Sequence, residues 1–356
     1  MQAITKANIF TSVFCLIVVI SWGQDPNFSQ FNNIPIFLNP SLSGSFEGSY
    51  RAIVAHRNQG NNQFNEPFIS LYSSFDLRLP IRYDGKVLND AAGVGVMFMQ
   101  DKNSSIGWNT QNIYVSGAYH KSLDPTNNQF ISAGFQMGII QKSVGYSNVT
   151  FEDQFNGTDG YNDPTNELLP SNNFAFSDLN AGIQYSFMTI NQLGGFLGAS
   201  IAHFNKPNQS FYQNNLLFVN SITNRPLPIK YMVQSGFQIP VSEKLQIHPR
   251  VLAQKQGSHL TGMVGMNIRT ILNDVSNTSL HFGASARPTF VLGNEPKIES
   301  LIFLLGLELN ELLIGISYDA GITTLYNGIS GRRNAIELTV TYMGRYNNDD
   351  NFCPKF

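Results

Sequence analysis

Hydrophobic and polar residues alternate with a period of two along most of the chain. In LNAGIQYSF (179–187), every second residue is aliphatic or aromatic, and the residues between them are Asn, Gly, Gln and Ser. The same alternation occurs in ISAGFQMGI (131–139) and IELTVTY (336–342). A strand with lipid on one side and a polar lumen on the other has this pattern. The alternation therefore predicts the strands of a transmembrane barrel.

We predict an all-β fold, a transmembrane antiparallel β-barrel of about 14 strands. Most of these segments have about 9 to 13 residues, near the length that a tilted strand needs to cross the hydrocarbon core. An even strand number is what single-chain bacterial barrels require. The segments lie near residues 49–56, 67–78, 91–100, 110–120, 129–141, 176–188, 193–204, 228–239, 244–255, 258–271, 279–288, 299–308, 312–320 and 334–343.

The connections between these segments alternate in length. If the N-terminus is periplasmic, every second connection is a short periplasmic turn: PIRYDGKVLND, SLDPTNN, TINQ, PVSE, LNDVSNT and NEL. The other connections include longer stretches rich in Asn, Asp, Pro and Gly, at 142–175, 205–227, 289–298 and 321–333. A transmembrane barrel has short turns on one side and long loops on the other, whereas a soluble β-sandwich has no reason to alternate in this way.

The first residues have the features of a secretory signal peptide. Lys6 supplies a positive charge, residues 9–22 form an apolar stretch too short to span a bilayer, and small residues precede a cleavage position before Gln24. The expected organisation is a signal peptide at 1–23, an irregular periplasmic or plug segment at 24–48, a barrel at 49–344 and a periplasmic C-terminal tail at 345–356.

Composition narrows the possible functions. Charged residues make up 13% of the chain, against roughly 25% in ordinary soluble domains. The net charge of −2 argues against a nucleic-acid partner. The six histidines are not at metal-ligand spacing, and no serine is marked as a nucleophile by a G-x-S-x-G motif. We therefore predict no catalytic residue, no metal and no cofactor.

One loop is rich in acidic residues, namely Glu152, Asp153, Asp159, Asp163 and Glu167. Their oxygens are suitable calcium ligands, but the spacing of an EF-hand loop is missing. A solvated extracellular loop is the favoured interpretation.

A set of charged residues is predicted to face the lumen by strand parity, because a charge on the lipid side near mid-membrane costs roughly 2–4 kcal/mol. Such a basic lumen can select an anionic solute or hold an inserted segment. Alternatively, these groups pair with each other and only fill the barrel. They are His248, Arg250, Arg269, His281, Arg287 and Glu337.

Several motifs occur in a familiar order along the chain. They are QDPNFSQFNNIPIFLNPSLSGS at 24–45, then GVGVMFMQDKNSSIG, VTFEDQF, HFNKPNQSFY, LPIKYMVQSGFQI, GISYDAGITTL, NAIELTVTY and a final CPKF. In this order the chain resembles the PorP/SprF family of outer-membrane proteins, which is associated with the type IX secretion system and gliding motility of Bacteroidetes. The sequence departs from the family pattern at Gly60, Gln234 and Lys355.

The resemblance implies a non-enzymatic barrel in the outer membrane that binds, anchors or helps export a secreted adhesin-like partner, or that contacts periplasmic secretion components. A porin or FadL-like passive transporter of small solutes is the alternative. The candidate partner-binding residues are Asp25, Pro26, Phe28, Ser29, Gln30, Phe31, Asn39, Pro40, Arg57, Cys353, Pro354 and Phe356.

The segment after the signal peptide contains Pro26, Pro35 and Pro40, which preclude a regular helix or a central strand. Its aromatic side chains must therefore pack against another part of the protein. We predict that Phe28, Phe31 and Phe37 tuck into the periplasmic mouth of the barrel. The segment then acts either as a brace by packing alone or as a docking site for a secretion partner.

Overall fold

In a computed structural model, the chain forms a closed antiparallel barrel of fourteen strands, which confirms the predicted fold class. The structure describes residues 25–60, 67–84, 86–104, 107–146, 149–158, 160–212, 224–273, 277–291, 296–322, 324–326, 329–332 and 334–345. The signal peptide predicted at 1–23 and the tail residues Cys353, Pro354 and Phe356 lie outside the described residues.

Each of the fourteen predicted segments overlaps one barrel strand. The strands are β1 (Tyr50–Gln59), β2 (Phe68–Tyr83), β3 (Lys86–Asn103), β4 (Trp108–Ser122), β5 (Gln129–Ser143), β6 (Asn173–Met188), β7 (Gly194–Ala202), β8 (Lys230–Ser242), β9 (Leu245–Gln256), β10 (His259–Asn273), β11 (Thr278–Val291), β12 (Lys297–Leu309), β13 (Leu312–Gly321) and, after two short strands, β16 (Ala335–Gly344).

The barrel closes between its first and last strands. Strand β1 pairs with β16 from Tyr50↔Gly344 to Gln59↔Ala335, and β16 also pairs with β13. The short strands β14 (Thr324–Tyr326) and β15 (Ile329–Arg332) form a separate two-stranded sheet in the connection between β13 and β16. The sequence did not predict these two strands, because three or four residues are too few to show a period.

We call the two ends of the barrel the turn end and the loop end. At the turn end, β8 and β9 are joined by residues 243–244, and β12 and β13 by residues 310–311. At the loop end, the connections at 144–172 and 203–229 are long, although β9 and β10 are joined there by only two residues. The predicted turn PIRYDGKVLND is shorter than expected, because β2 and β3 extend into it.

The strand faces follow the predicted parity. Ile183 is 60% exposed on the outer surface, whereas its neighbour Gln184 is buried on the lumen side. The same outer band contains Ile139, Val115 and Leu305. Within the described residues, no helix is long and apolar enough to cross a membrane.

Residues 25–48, which we call the plug, occupy the lumen. The backbone N–H of Asp25 donates to Gln256 at the loop end of β9, and the N–H of Ser49 donates to Gly344 at the turn end of β16. The plug therefore runs through the lumen from one end of the barrel to the other. This extent is greater than the predicted insertion at the mouth alone.

The plug contains only single helical turns. A 3-10 turn at Phe31–Asn33 is followed by α1 (Pro35–Leu38) and by a second 3-10 turn at Pro40–Leu42. Pro35 and Pro40 each stand at the start of a turn, where their fixed φ is favourable and no backbone donor is lost. The prolines thus set both the beginning and the short length of each turn.

An apolar core connects the plug to the barrel wall. Phe28, Phe31 and Ile36 are at most 5% exposed. The wall residues of the same core point into the lumen, and they include Ile53, Tyr72, Met97, Met99, Tyr114 and Leu252. The plug is held by hydrophobic burial as well as by polar contacts.

Candidate functional site

Four charged wall residues surround Ser29 of the plug, and we call these five residues the anchor cluster. Arg57 lies 2.9 Å from Asp319 and 3.2 Å from Glu337, and Arg287 lies 3.0 Å from Asp319. The Ser29 hydroxyl donates to Asp319 and accepts from both arginines, with each of the three distances at 2.7 Å. The cluster therefore joins four different strands to one plug residue.

Glu337 binds the plug backbone directly. Its two carboxylate oxygens accept the N–H groups of Ser29 (2.7 Å) and Gln30 (2.8 Å). The carboxylate is 1% exposed, and a buried charge of this kind is tolerated only where ion pairs and hydrogen bonds satisfy it. Arg57 and the two plug amides supply that compensation. The plug and the wall charges therefore depend on each other.

Gln30 extends the attachment along the wall. Its Nε2 donates to the carbonyl oxygens of Glu337 (3.2 Å) and Gly315 (3.3 Å). Its Oε1 accepts from Thr339 (2.7 Å) and Asn33 (3.0 Å). Both ends of the side-chain amide are thus satisfied inside the lumen, which fixes the plug in one register against β13 and β16.

The loop end of the plug is held by charge. The Asp25 carboxylate lies 3.0 Å from His203 Nε2 and 3.3 Å from Lys230 Nζ. Lys230 also lies 5.2 Å from the ring centre of Phe37, within the range of a cation–π contact. One buried lysine of β8 therefore contacts two separate residues of the plug.

The turn end of the plug is held by a second ion pair. Arg51 forms two hydrogen bonds with Asp76, at 3.0 and 2.7 Å, and donates to the Leu42 carbonyl at 3.1 Å. Asp76 in turn accepts the N–H of Gly44 at 2.8 Å. A bidentate arginine–carboxylate pair of this kind has a defined geometry. The plug backbone is therefore positioned at both ends.

Glycines on the wall allow the plug to approach closely. A Cβ atom on Gly93 would lie 1.8 Å from the Ser43 carbonyl oxygen, and one on Gly182 would lie 2.0 Å from Asn39 Oδ1. Asn39 uses that space to donate to the Ile183 carbonyl at 3.0 Å. These two glycines are needed for contact with the plug and not for a turn.

Replacing Gly93 by alanine is expected to lower the stability of the barrel by about 1–3 kcal/mol, because the added methyl group displaces the plug backbone. Gly117 on β4 is a matched control, since a Cβ there meets no atom within 4 Å. Thermal unfolding of purified Gly93→Ala and Gly117→Ala proteins checks this. Equal melting temperatures for the two variants would contradict the close approach.

A cavity of about 900 Å³ lies beside the plug. Its walls are residues 29–33 and 45–47 of the plug and the inner faces of β8 to β13. Gln192, Asn277 and Asn310 line it at the turn end. The lumen is thus hollow beside the plug toward the turn end, whereas the loop-end contacts of the plug, at Asp25, His203 and Lys230, do not line this cavity.

The six charged residues predicted to face the lumen fall into three groups. Arg287 and Glu337 belong to the anchor cluster. Arg269 and His281 both contact Glu308, at 2.8 and 3.2 Å. The remaining two residues, His248 and Arg250, line the cavity. The sequence left two interpretations open: either these charges pair with each other, or they form a basic surface in the lumen. In the structure, paired charges lie in one part of the lumen and basic residues line the cavity in another part.

The candidate partner-binding residues within the described chain lie at the plug. Phe28, Ser29, Gln30, Phe31, Asn39 and Pro40 are buried in the lumen, and Asp25 and Pro26 are half-buried. Arg57 faces them from β1. These side chains contact the barrel itself and are not on an outer surface.

Sequence reasoning missed several residues that hold the plug, namely Arg51, Asp76, His203, Lys230 and Asp319. The sequence carries a signal for two of them. Asp319 is the single charged residue of segment 312–320, and Asp76 is the single acid of segment 67–78, which also contains Arg78. The parity of both acids directs them to the lumen. The inward-facing apolar residues Met97 and Met99 also break the polar inner pattern, which indicates that a segment packs against them.

The acidic loop does not show a metal site. Asp153 accepts hydrogen bonds from the Thr165 hydroxyl at 3.0 Å and the Asn166 N–H at 2.6 Å. Among the described residues, which exclude Asp159, no three His, Cys, Asp or Glu side chains are placed to hold a metal ion. The described contacts are those of an acid that organises its own loop.

A closed barrel with an apolar outer band and a filled lumen defines an outer-membrane β-barrel protein. The family model "Type IX secretion system membrane protein PorP/SprF" matches residues 20–342, and the chain belongs to this family. The protein is therefore located in the outer membrane. No curated protein matches the chain.

Solved structures support the fold. A deltaS2 mutant of the TodX monoaromatic hydrocarbon channel is similar at a TM-score of 0.52 and 9% identity, over 88% of this chain and 94% of that chain. The CymD monoaromatic hydrocarbon channel is similar at 0.50 and 9% identity, over 88% and 93%. At such identities the similarity shows only that the barrel architecture is shared.

Proposed function

We propose that this protein is a non-catalytic barrel that holds a secreted polypeptide at the outer membrane or passes it on during type IX secretion. Membership of the PorP/SprF family supports a role with the secretion machinery. The partner we propose is an adhesin-like secreted protein, and a role in gliding machinery is part of the same proposal. The observation that carries the proposal is the filled lumen.

The plug argues against free diffusion through the barrel. The plug runs through the whole lumen and is attached to the wall at three points. Asp25 attaches its loop end, Ser29 its centre and Gly44 its turn end. Removing the plug requires breaking the ion pairs of Asp25 with His203 and Lys230, the buried hydrogen bonds of Ser29 and Gln30 to the wall, and the contacts of an apolar core. A passive pore does not need an obstruction held so firmly.

The two ends of the barrel supply possible contact surfaces. At the loop end, the connection 144–172 exposes Phe155, Tyr161 and Leu168, and the last is 62% exposed. The rings of Phe155 and Tyr161 are in contact, with their centroids 5.3 Å apart, and clustered apolar side chains outside the strands are typical of protein-binding surfaces. We assign this end to the secreted partner and the turn end to periplasmic secretion components.

The second candidate function is passive transport of a small solute. The cavity of about 900 Å³ favours it, since pockets of roughly 300–1,000 Å³ suit small ligands. This candidate requires a continuous path through the lumen, and the plug lies across that path.

The two candidates differ in what co-purifies with the protein. Tagged protein isolated from native outer membranes is expected to retain a secreted protein or a secretion component, whereas a tagged unrelated barrel from the same membranes retains neither. If no such protein is retained and the purified barrel conducts steadily in a bilayer, the proposal is wrong and the transporter is favoured.

A further inference from the structure

Arg250 projects from β9 into the cavity beside the plug. In the barrel wall it is paired with Gly236 of β8 and Gly265 of β10. Neither neighbour has a side chain that can cover the guanidinium. The guanidinium therefore projects into the cavity and is not covered by the side chains of its neighbours in the wall.

The guanidinium of Arg250 has no counter-ion in the part of the chain that the structure describes. Among the described residues, Arg51, Arg57, Arg269 and Arg287 each form an ion pair with an acid, whereas no such pair involves Arg250. The nearby acid Glu308 is occupied by Arg269, with hydrogen bonds of 2.8 and 3.0 Å, and by His281 at 3.2 Å. A partly buried cation without a partner is unfavourable, and a bound anion would offset that cost.

His248 supplies a second group with unused hydrogen-bonding capacity. It lies two residues before Arg250 on the same inner face, and it is 7% exposed. Among the described residues its Nε2 atom has no hydrogen-bond partner. Buried polar atoms are nearly always satisfied in proteins. Two residues on the same face of β9 therefore have unused binding capacity at one cavity: the Nε2 atom of His248 and the guanidinium of Arg250.

The rest of the lining fits a small organic molecule. Asn267 and Ser285 are polar, whereas Phe31, Ile302 and Leu304 are apolar. Such a mixed surface accepts an anionic group at one side and a carbon skeleton at the other. The volume of about 900 Å³ excludes a folded protein as the occupant.

We infer that this cavity binds the oxyanion of a small solute, a carboxylate or a phosphate, with Arg250 as the charge partner and His248 as a hydrogen-bond partner. The inference does not depend on the secreted partner. It assigns a binding site to the cavity between the plug and strands β8 to β13.

Isothermal titration calorimetry on the purified full-length barrel tests the inference, with succinate and inorganic phosphate as separate probes at constant ionic strength. We expect saturable binding of at least one probe. Succinate alone indicates carboxylate recognition, and phosphate alone indicates phosphate recognition. No saturable binding of either probe to the wild-type protein would overturn the inference.

Three variants assign the binding to Arg250. Arg250→Gln is expected to weaken binding at least about tenfold, as the loss of a charge-assisted hydrogen bond does, and Arg250→Lys is expected to bind more tightly than Arg250→Gln. Lys255→Gln removes a cation from the exposed face of the same strand and should bind like the wild type. A folded barrel migrates differently in a gel from the same protein after heating. The mobility of each unheated variant therefore shows whether it has folded. Equal affinity of Arg250→Gln and Lys255→Gln would contradict the assignment.

Discussion

Replacing Glu337 by alanine is expected to release the plug from the barrel wall while the barrel itself stays closed. The carboxylate accepts the N–H groups of Ser29 and Gln30 and pairs with Arg57. Removing one partner from a buried ion pair costs about 3–5 kcal/mol, because the other charge stays buried. The pairing of β16 with β1 and β13 depends on backbone groups and is unaffected.

The release can be measured by cysteine labelling. Ile34 of the plug is 1% exposed, and a cysteine there, in a Cys353→Ser background, is shielded while the plug is in place. Labelling by a bulky maleimide should be at least about tenfold faster in Glu337→Ala, in line with a lower free energy of local opening. Glu243→Gln, in the exposed turn between β8 and β9, is the control. If labelling rate and melting temperature both match the control, Glu337 does not hold the plug.

Deleting residues 25–40 is expected to weaken the barrel strongly, because the apolar wall residues inside the lumen lose the side chains that pack against them. The deletion removes five buried apolar side chains, namely Phe28, Phe31, Ile34, Ile36 and Leu38. Burying each of them is worth roughly 1.5–3 kcal/mol. We expect the melting temperature to fall by about 10 °C or more, as measured by the loss of the folded electrophoretic form on heating.

The same deletion distinguishes the two roles predicted for this segment, a brace that packs inside the barrel and a docking site for a secretion partner. The burial of these side chains favours the brace, because a partner outside the barrel cannot contact them. A deleted protein with the wild-type melting temperature that no longer retains its partner in a native-membrane pulldown would contradict the brace and favour docking.

The strands of the barrel could be predicted from the sequence because lipid imposes a strict rule on every second residue. A single strand such as 131–139 already shows which side chains face outward, and its outer residues Ile131, Phe135, Met137 and Ile139 are all exposed. Inward parity likewise placed Arg287 and Glu337 on the lumen face. Both results follow from local periodicity alone.

The contacts of the plug could not be predicted in this way, since they join residues far apart in the chain. Ser29 and Glu337 are separated by 308 positions, and Asp25 and Lys230 by 205. Parity gives the face on which a residue lies but not the depth at which it meets another segment. The pairing of Arg57 with Asp319, and the lack of a partner for Arg250, therefore emerged only from the closed structure.

Single-channel recording on the purified full-length protein in a planar bilayer tests most directly whether the plug closes the barrel. The interactions at Asp25, the anchor cluster and the pair between Arg51 and Asp76 hold the plug across the lumen. We predict no steady ionic conductance from the wild-type protein at neutral pH and moderate voltage. A stable, continuously open channel formed by the intact chain would contradict the account.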